Sequence, residues 1–134
     1  MILSERALIL KNTELFGEAS LDKLTPLAEA LTERTLKDQE IVFPDSGRYG
    51  TLVVLARGKV RQTEEGKSFF LDQGDCLGTI SLFDETVPRP EAKADGEAMV
   101  FVIDGSMARE FIVEESSVAE SFIRSLVRKI RSVD

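Results

Sequence analysis

Apolar residues recur at two different periods along this chain of 134 residues, and the change of period divides it. Residues 4–11 read as a short helix, with Ser4 placed to cap the first turn and Glu5 near the positive end of the helix dipole. Residues 12–17 form a break. Ser20 is a second cap candidate, and Leu24, Leu27, Ala28 and Leu31 after it fall at helical spacing on one face. Pro26 lies inside that helix, in its first turns or at a kink.

From residue 36 to residue 103 the runs become short and rich in β-branched and aromatic residues. They are Ile41-Val42-Phe43, Leu52-Val53-Val54-Leu55, Phe69-Phe70-Leu71 and Met99-Val100-Phe101-Val102-Ile103. Turn signals separate them: Asp45-Ser46-Gly47, Arg57-Gly58, Glu65-Gly66-Lys67, Gln73-Gly74-Asp75 and Asp95-Gly96. Short strands with glycine turns at regular spacing predict an antiparallel sandwich or barrel. Beyond Asp104 the helical period returns. A short helix is expected over 106–113, then a longer one to about 133 with Ser116 or Ser117 as its cap. In it Val118, Phe122, Leu126 and Ile130 recur every four residues beside Ile123 and Val127. That wide stripe either packs on the chain's own β core or pairs with another helix in a dimer.

Composition narrows the function. With 43% apolar and 31% charged residues the chain reads as one globular domain spanning 1–134, without linker or repeat. Its net charge of -7 argues against nucleic-acid binding, which needs a basic surface. A single cysteine, Cys76, forbids an internal disulfide and suits a reducing, cytoplasmic setting. No secretory signal and no apolar run of membrane-spanning length is present, so no membrane association of its own is expected. The absence of histidine removes the usual zinc sites, histidine triads and histidine bases, and no phosphate-loop or dinucleotide glycine motif occurs. Carboxylate pairs such as Asp84-Glu85 and Glu114-Glu115 are expected by chance among 24 acidic residues. The expectation is a protein that is not an enzyme, with no metal and no cofactor.

The order of elements, with Glu14-Leu15-Phe16, Leu24-x-x-Leu27-Ala28, Glu40-Ile41-Val42-Phe43, Gly58-Lys59-Val60, Leu71-Asp72-Gln73-Gly74-Asp75-Cys76-Leu77-Gly78, Ser81-Leu82-Phe83 and Ile103-Asp104 with Phe111, resembles the cyclic-nucleotide-binding domain family, the effector domain of catabolite activator proteins, cyclic-nucleotide-dependent kinases and gated channels. The resemblance implies a mainly β fold with flanking α elements: an antiparallel β-roll or jelly roll (a double-stranded β-helix) over about 36–103, N-terminal helices over about 4–33, and C-terminal helices over about 106–133. It implies a regulatory role in which a cyclic nucleotide (cAMP or cGMP) or another small anion is sensed and the C-terminal helix responds. The family's phosphate-binding cassette runs Phe-Gly-Glu, a short helix, then Pro-Arg-x-Ala. By that resemblance Gly78, Thr79, Ile80, Ser81 and Arg89 are the candidate ligand-binding residues. Backbone N–H groups would cradle the phosphate and the arginine would add a charge-assisted bond.

Two positions depart from the pattern. Thr79 stands where the family has glutamate, and without a gap Pro88 falls on the arginine position, one residue before Arg89. A one-residue bulge between Asp84 and Val87 would return Arg89 to the phosphate; otherwise it pairs with Asp84, Glu85 or Glu91. Each lost charge-assisted bond costs roughly 1.5–3 kcal/mol, and losing both weakens binding by about two to four powers of ten. The alternative is therefore an interaction or dimerisation domain that kept the fold without nucleotide binding, partnered by a second copy through the C-terminal helix or by a larger parent protein. A cupin-type enzyme would need histidine ligands, and a complete transcription factor would need a DNA-binding domain after the last helix, which the chain does not reach.

Overall fold

The computed structural model describes residues 1–43 and 50–133; the turn expected at Asp45-Ser46-Gly47 lies outside the described residues. The elements run α1 (Leu3–Lys11), α2 (Leu21–Ala30), β1 (Thr32–Leu36), β2 (Thr51–Arg57), β3 (Val60–Glu64), β4 (Lys67–Leu71), β5 (Cys76–Leu77), a 3-10 turn (Ile80–Leu82), β6 (Glu91–Ala94), β7 (Ala98–Asp104), α3 (Gly105–Glu114) and α4 (Ser116–Val133). The strands make two antiparallel sheets, β1-β7-β2-β5 and β4-β3-β6, flanked by the helices. This is the β-roll with N-terminal helices and a long C-terminal helix.

β2 and β7 form the centre because both of their faces are buried. Along β2, Leu52, Val54 and Ala56 pack into the cluster that joins the sheet to the helices. The alternate residues Val53 and Leu55 face the roll interior with Val60, Leu77, Ala92, Ala94 and Val100. A strand covered on both sides reads as an unbroken apolar run rather than an alternating one. Phe16, Leu24, Leu27 and Leu10 bring α1 and α2 onto the first cluster; Ala108, Ile112 and Val118 bring α3 and the start of α4.

Several expectations need correction. The roll begins at Thr32, not near 36, because Leu31 leaves the helix in an extended conformation. Seven strands occur among the described residues. Ile41-Val42-Phe43 contributes only an isolated bridge, Ile41 to Lys93. Beside this bridge the Arg34 guanidinium donates to the carbonyls of Val42 (2.8 Å) and Ile41 (3.0 Å). Ser4 lies inside α1, whose cap position is held by Ile2, and Ser20 holds the cap position of α2 without a side-chain bond. Ser116 and Ser117 both fall within α4. The one such bond at α3 comes from Asp104, which accepts from the Met107 N–H at 3.2 Å. Pro26 is the sixth residue of α2 and withholds the N–H that would bond Asp22. Among the described residues no helix is long and apolar enough to cross a membrane.

Candidate functional site

β5 is only two residues long, pairing Leu77 with Val53 and Cys76 with Val54, and the chain leaves it through Gly78 at φ +86°. A Cβ there would lie 2.8 Å from the Thr51 carbonyl oxygen and 3.4 Å from the Phe43 ring, so only glycine allows the exit. Thr79, half-buried, holds the cap position of the 3-10 turn without a side-chain bond, and its carbonyl accepts from Leu82. Ile80 opens the turn with its side chain exposed. Ser81 is buried, and its hydroxyl donates to the Gly78 carbonyl at 2.9 Å, which ties the turn to the glycine.

Beyond Phe83 the chain bends again. The Asp84 carboxylate accepts from the Thr86 N–H (3.0 Å) and hydroxyl (2.6 Å), and the Val87 N–H donates to the Asp84 carbonyl. These bonds hold the Asp84 carboxyl below its ordinary value of 3.8. This turn occupies the stretch, Asp84 to Val87, in which a one-residue bulge would return Arg89 to the phosphate. After it, Arg89 lies with its Nε and one terminal nitrogen 3.7 and 3.9 Å from where a Cβ on Gly50 would stand; Ser81 Oγ is 3.6 Å from the same point. The Arg89 guanidinium carbon sits 5.8 Å from the centre of the Phe43 ring, a cation–π contact.

The candidate residues are thus divided. Gly78, Ser81 and Arg89 come together around Gly50 and Phe43; Thr79 and Ile80 line the entry to the turn. Gly50, at φ +72°, and Phe43 were not among the expected site residues. A glycine just before a β run is the one signal that could have found Gly50. Glu91, one of the carboxylates weighed as a partner of Arg89, is exposed on the side of β6 opposite the buried Ala92 and Ala94.

Three further side chains frame the site. Phe83 stacks on Phe122 of α4, with centroids 5.2 Å apart and planes at 26°, and the Arg109 guanidinium of α3 lies 5.9 Å from the Phe83 ring. The segment carrying Ser81 is therefore packed directly against both C-terminal helices. Cys76, just upstream, is a packing residue: burial, then the Asp75 carboxylate, pushes its thiol up to about 12, leaving almost no thiolate at neutral pH.

No protein-family model matches the chain, and no curated protein matches it by sequence. Solved structures do match its fold. Similar chains include cAMP-bound PfPKA-R (TM-score 0.79, 17% identity, 96% of this chain and 46% of that one). The catabolite activator protein of Thermus thermophilus matches with TM-score 0.74 and 21% identity, over 91% of this chain and 60% of that one. So does a guanosine-bound regulatory subunit of a cAMP-independent protein kinase A from Trypanosoma cruzi (TM-score 0.72, 18% identity, 84% of this chain and 41% of that one). The chain therefore has the cyclic-nucleotide-binding-domain fold and spans about half the length of these three proteins.

Proposed function

We propose that this chain is a regulatory domain that binds a small phosphorylated ligand, a cyclic nucleotide being the first candidate, between Gly78, Ser81 and Arg89. The observation that carries the reading is the convergence of the Arg89 guanidinium and the Ser81 hydroxyl beside Gly50, at the end of a turn only glycine can enter. Arginine offers a planar, permanently charged donor set suited to phosphate oxygens. Thr79 supplies a hydroxyl where a carboxylate would bind a ribose hydroxyl, so the sugar is held less tightly than the phosphate. Ligand binding reaches α4 through Phe83, because Phe83 follows the 3-10 turn and stacks on Phe122. A signal requires that ligand bind one position of this pair better than another. The role is non-catalytic.

The test is calorimetric titration with cAMP, cGMP and guanosine, with Arg89→Ala as control. Micromolar binding of a cyclic nucleotide that disappears in the variant supports the reading. Guanosine binding unaffected by Arg89→Ala would move the site away from phosphate recognition. No heat up to millimolar ligand, from a folded protein, overturns it. The second reading is then an interaction domain with a retired pocket, and the exposed apolar stripe on the far half of α4 favours it: Ile123, Val127 and Ile130 are 60, 47 and 66% exposed.

A further inference from the structure

α4 changes character along its length. Its first turns are anchored, with Val118 fully buried and Phe122 packed on Phe83. Beyond Glu120 it carries Arg124, Arg128, Lys129 and Arg131 and no carboxylate as far as Val133. At about 100° per residue, Ile123, Val127 and Ile130 share one outward stripe, with Arg124 and Arg131 along one flank, where Arg124 also pairs with Glu120 at 3.3 Å. Arg128 and Lys129 lie toward the opposite side of the helix, and Arg128 pairs with Glu14 of the same chain. The outer half of α4 is thus a basic amphipathic helix with an uncovered apolar face.

A matching surface lies on the same molecule. Between α2 and α3 is a groove of about 310 Å³ whose floor includes Leu27, Met107 and Phe111. Its rim carries Asp22, Glu110, Glu114 and Glu115 against a single cation, Lys23, which is 3.7 Å from Glu115. An apolar floor with an acidic rim is the complement of an apolar stripe with a basic flank. The chain cannot satisfy the match by itself. α4 leaves the groove edge directly after Glu115 and runs as one continuous helix, so Ile130 stands about 21 Å along its axis from Ser116, at 1.5 Å per residue.

We propose that the outer half of α4 docks in the α2–α3 groove of a second copy of this chain. When two copies exchange their helices about a two-fold axis, each groove is filled and each apolar stripe is covered, which closes the assembly as a dimer. The contact does not depend on nucleotide binding, so it stands or falls separately from the proposed ligand site.

Sedimentation velocity over a concentration series tests it, using two charge-reversed variants whose folding is checked by circular dichroism. Glu110→Lys with Glu114→Lys makes the groove rim basic; Arg124→Glu with Arg131→Glu makes the helix flank acidic. The parent chain is expected to dimerise, more weakly as salt is raised. Each variant alone is expected to lose at least about tenfold in dimer affinity. Mixed in equal amounts they are expected to recover it, because both exchanged contacts then join opposite charges. A parent chain that stays monomeric at every concentration overturns the proposal. So does a dimer that survives groove reversal, which would place the contact between two α4 helices instead.

Discussion

Gly78 and Gly66 share a backbone conformation, at φ +86° and +78°, but not a neighbourhood. A Cβ at Gly66 would meet nothing within 4 Å, whereas at Gly78 it would strike the Thr51 carbonyl at 2.8 Å. Alanine at Gly66 should therefore carry only the left-handed conformational cost, roughly 1–2 kcal/mol. Alanine at Gly78 adds a collision with backbone that is itself held in a sheet, and about 3–4 kcal/mol is expected in total. Urea unfolding of the two variants measures the difference. Equal losses would mean that the end of β2 gives way easily. The substituted Cβ would also press on the Phe43 ring that carries Arg89, so any ligand affinity should fall in Gly78→Ala and be unchanged in Gly66→Ala.

Between elements, the Phe83–Phe122 stack joins the segment of the 3-10 turn to α4. A stacked aromatic pair contributes about 0.5–1.5 kcal/mol beyond its burial. A double-mutant cycle with Phe83→Leu and Phe122→Leu should return a coupling energy in that range. Additive losses would show that the turn and the helix are packed side by side without being coupled. The elements legible beforehand were those whose pattern is set by their own burial. β2 and β7 stood out because both faces are covered, and the two-residue Glu65-Gly66 turn between β3 and β4 because both residues adopt positive φ, at 50° and 78°. The illegible ones depended on partners distant in sequence. The apolar run Ile41-Val42-Phe43 reads as a strand, but its bridge is to Lys93, far along the chain. Phe69 and Phe70 look like core residues but sit exposed on β4, an edge strand. At the site, Gly78, Ser81 and Arg89 were visible in the chain order. Gly50 and Phe43 were not, since only the closed roll brings them to Arg89.

Across the whole molecule, the joints between layers are fastened by carboxylates. Glu33 of β1 accepts from Arg6 of α1 at 3.1 Å, and this bond holds its carboxyl below the usual 4.5. Asp38 accepts from the Gly96 N–H at 2.7 Å, linking the end of β1 to the turn before β7, and is lowered chiefly by that bond from 3.8. Glu40 accepts from the Lys37 N–H and then from Arg34, and is lowered from 4.5 by both. Because all three are lowered in the fold, the unfolded chain takes up protons first as pH falls. Their contribution is fully present above the unfolded values and is lost progressively as pH drops through 4.5 and 3.8 toward the folded ones. The melting temperature should stay level from neutrality to about pH 5 and fall below it. Glu33→Gln, Asp38→Asn and Glu40→Gln together should lower it at neutral pH and flatten the acid decline. Acid also turns a chain of net charge -7 into a strongly positive one, a second cause of decline by self-repulsion. Salt separates the two, since it screens dispersed repulsion more than short, directed bonds. A decline that survives added salt in the parent chain and is absent from the triple variant belongs to the joints; one abolished by salt in both belongs to net charge alone.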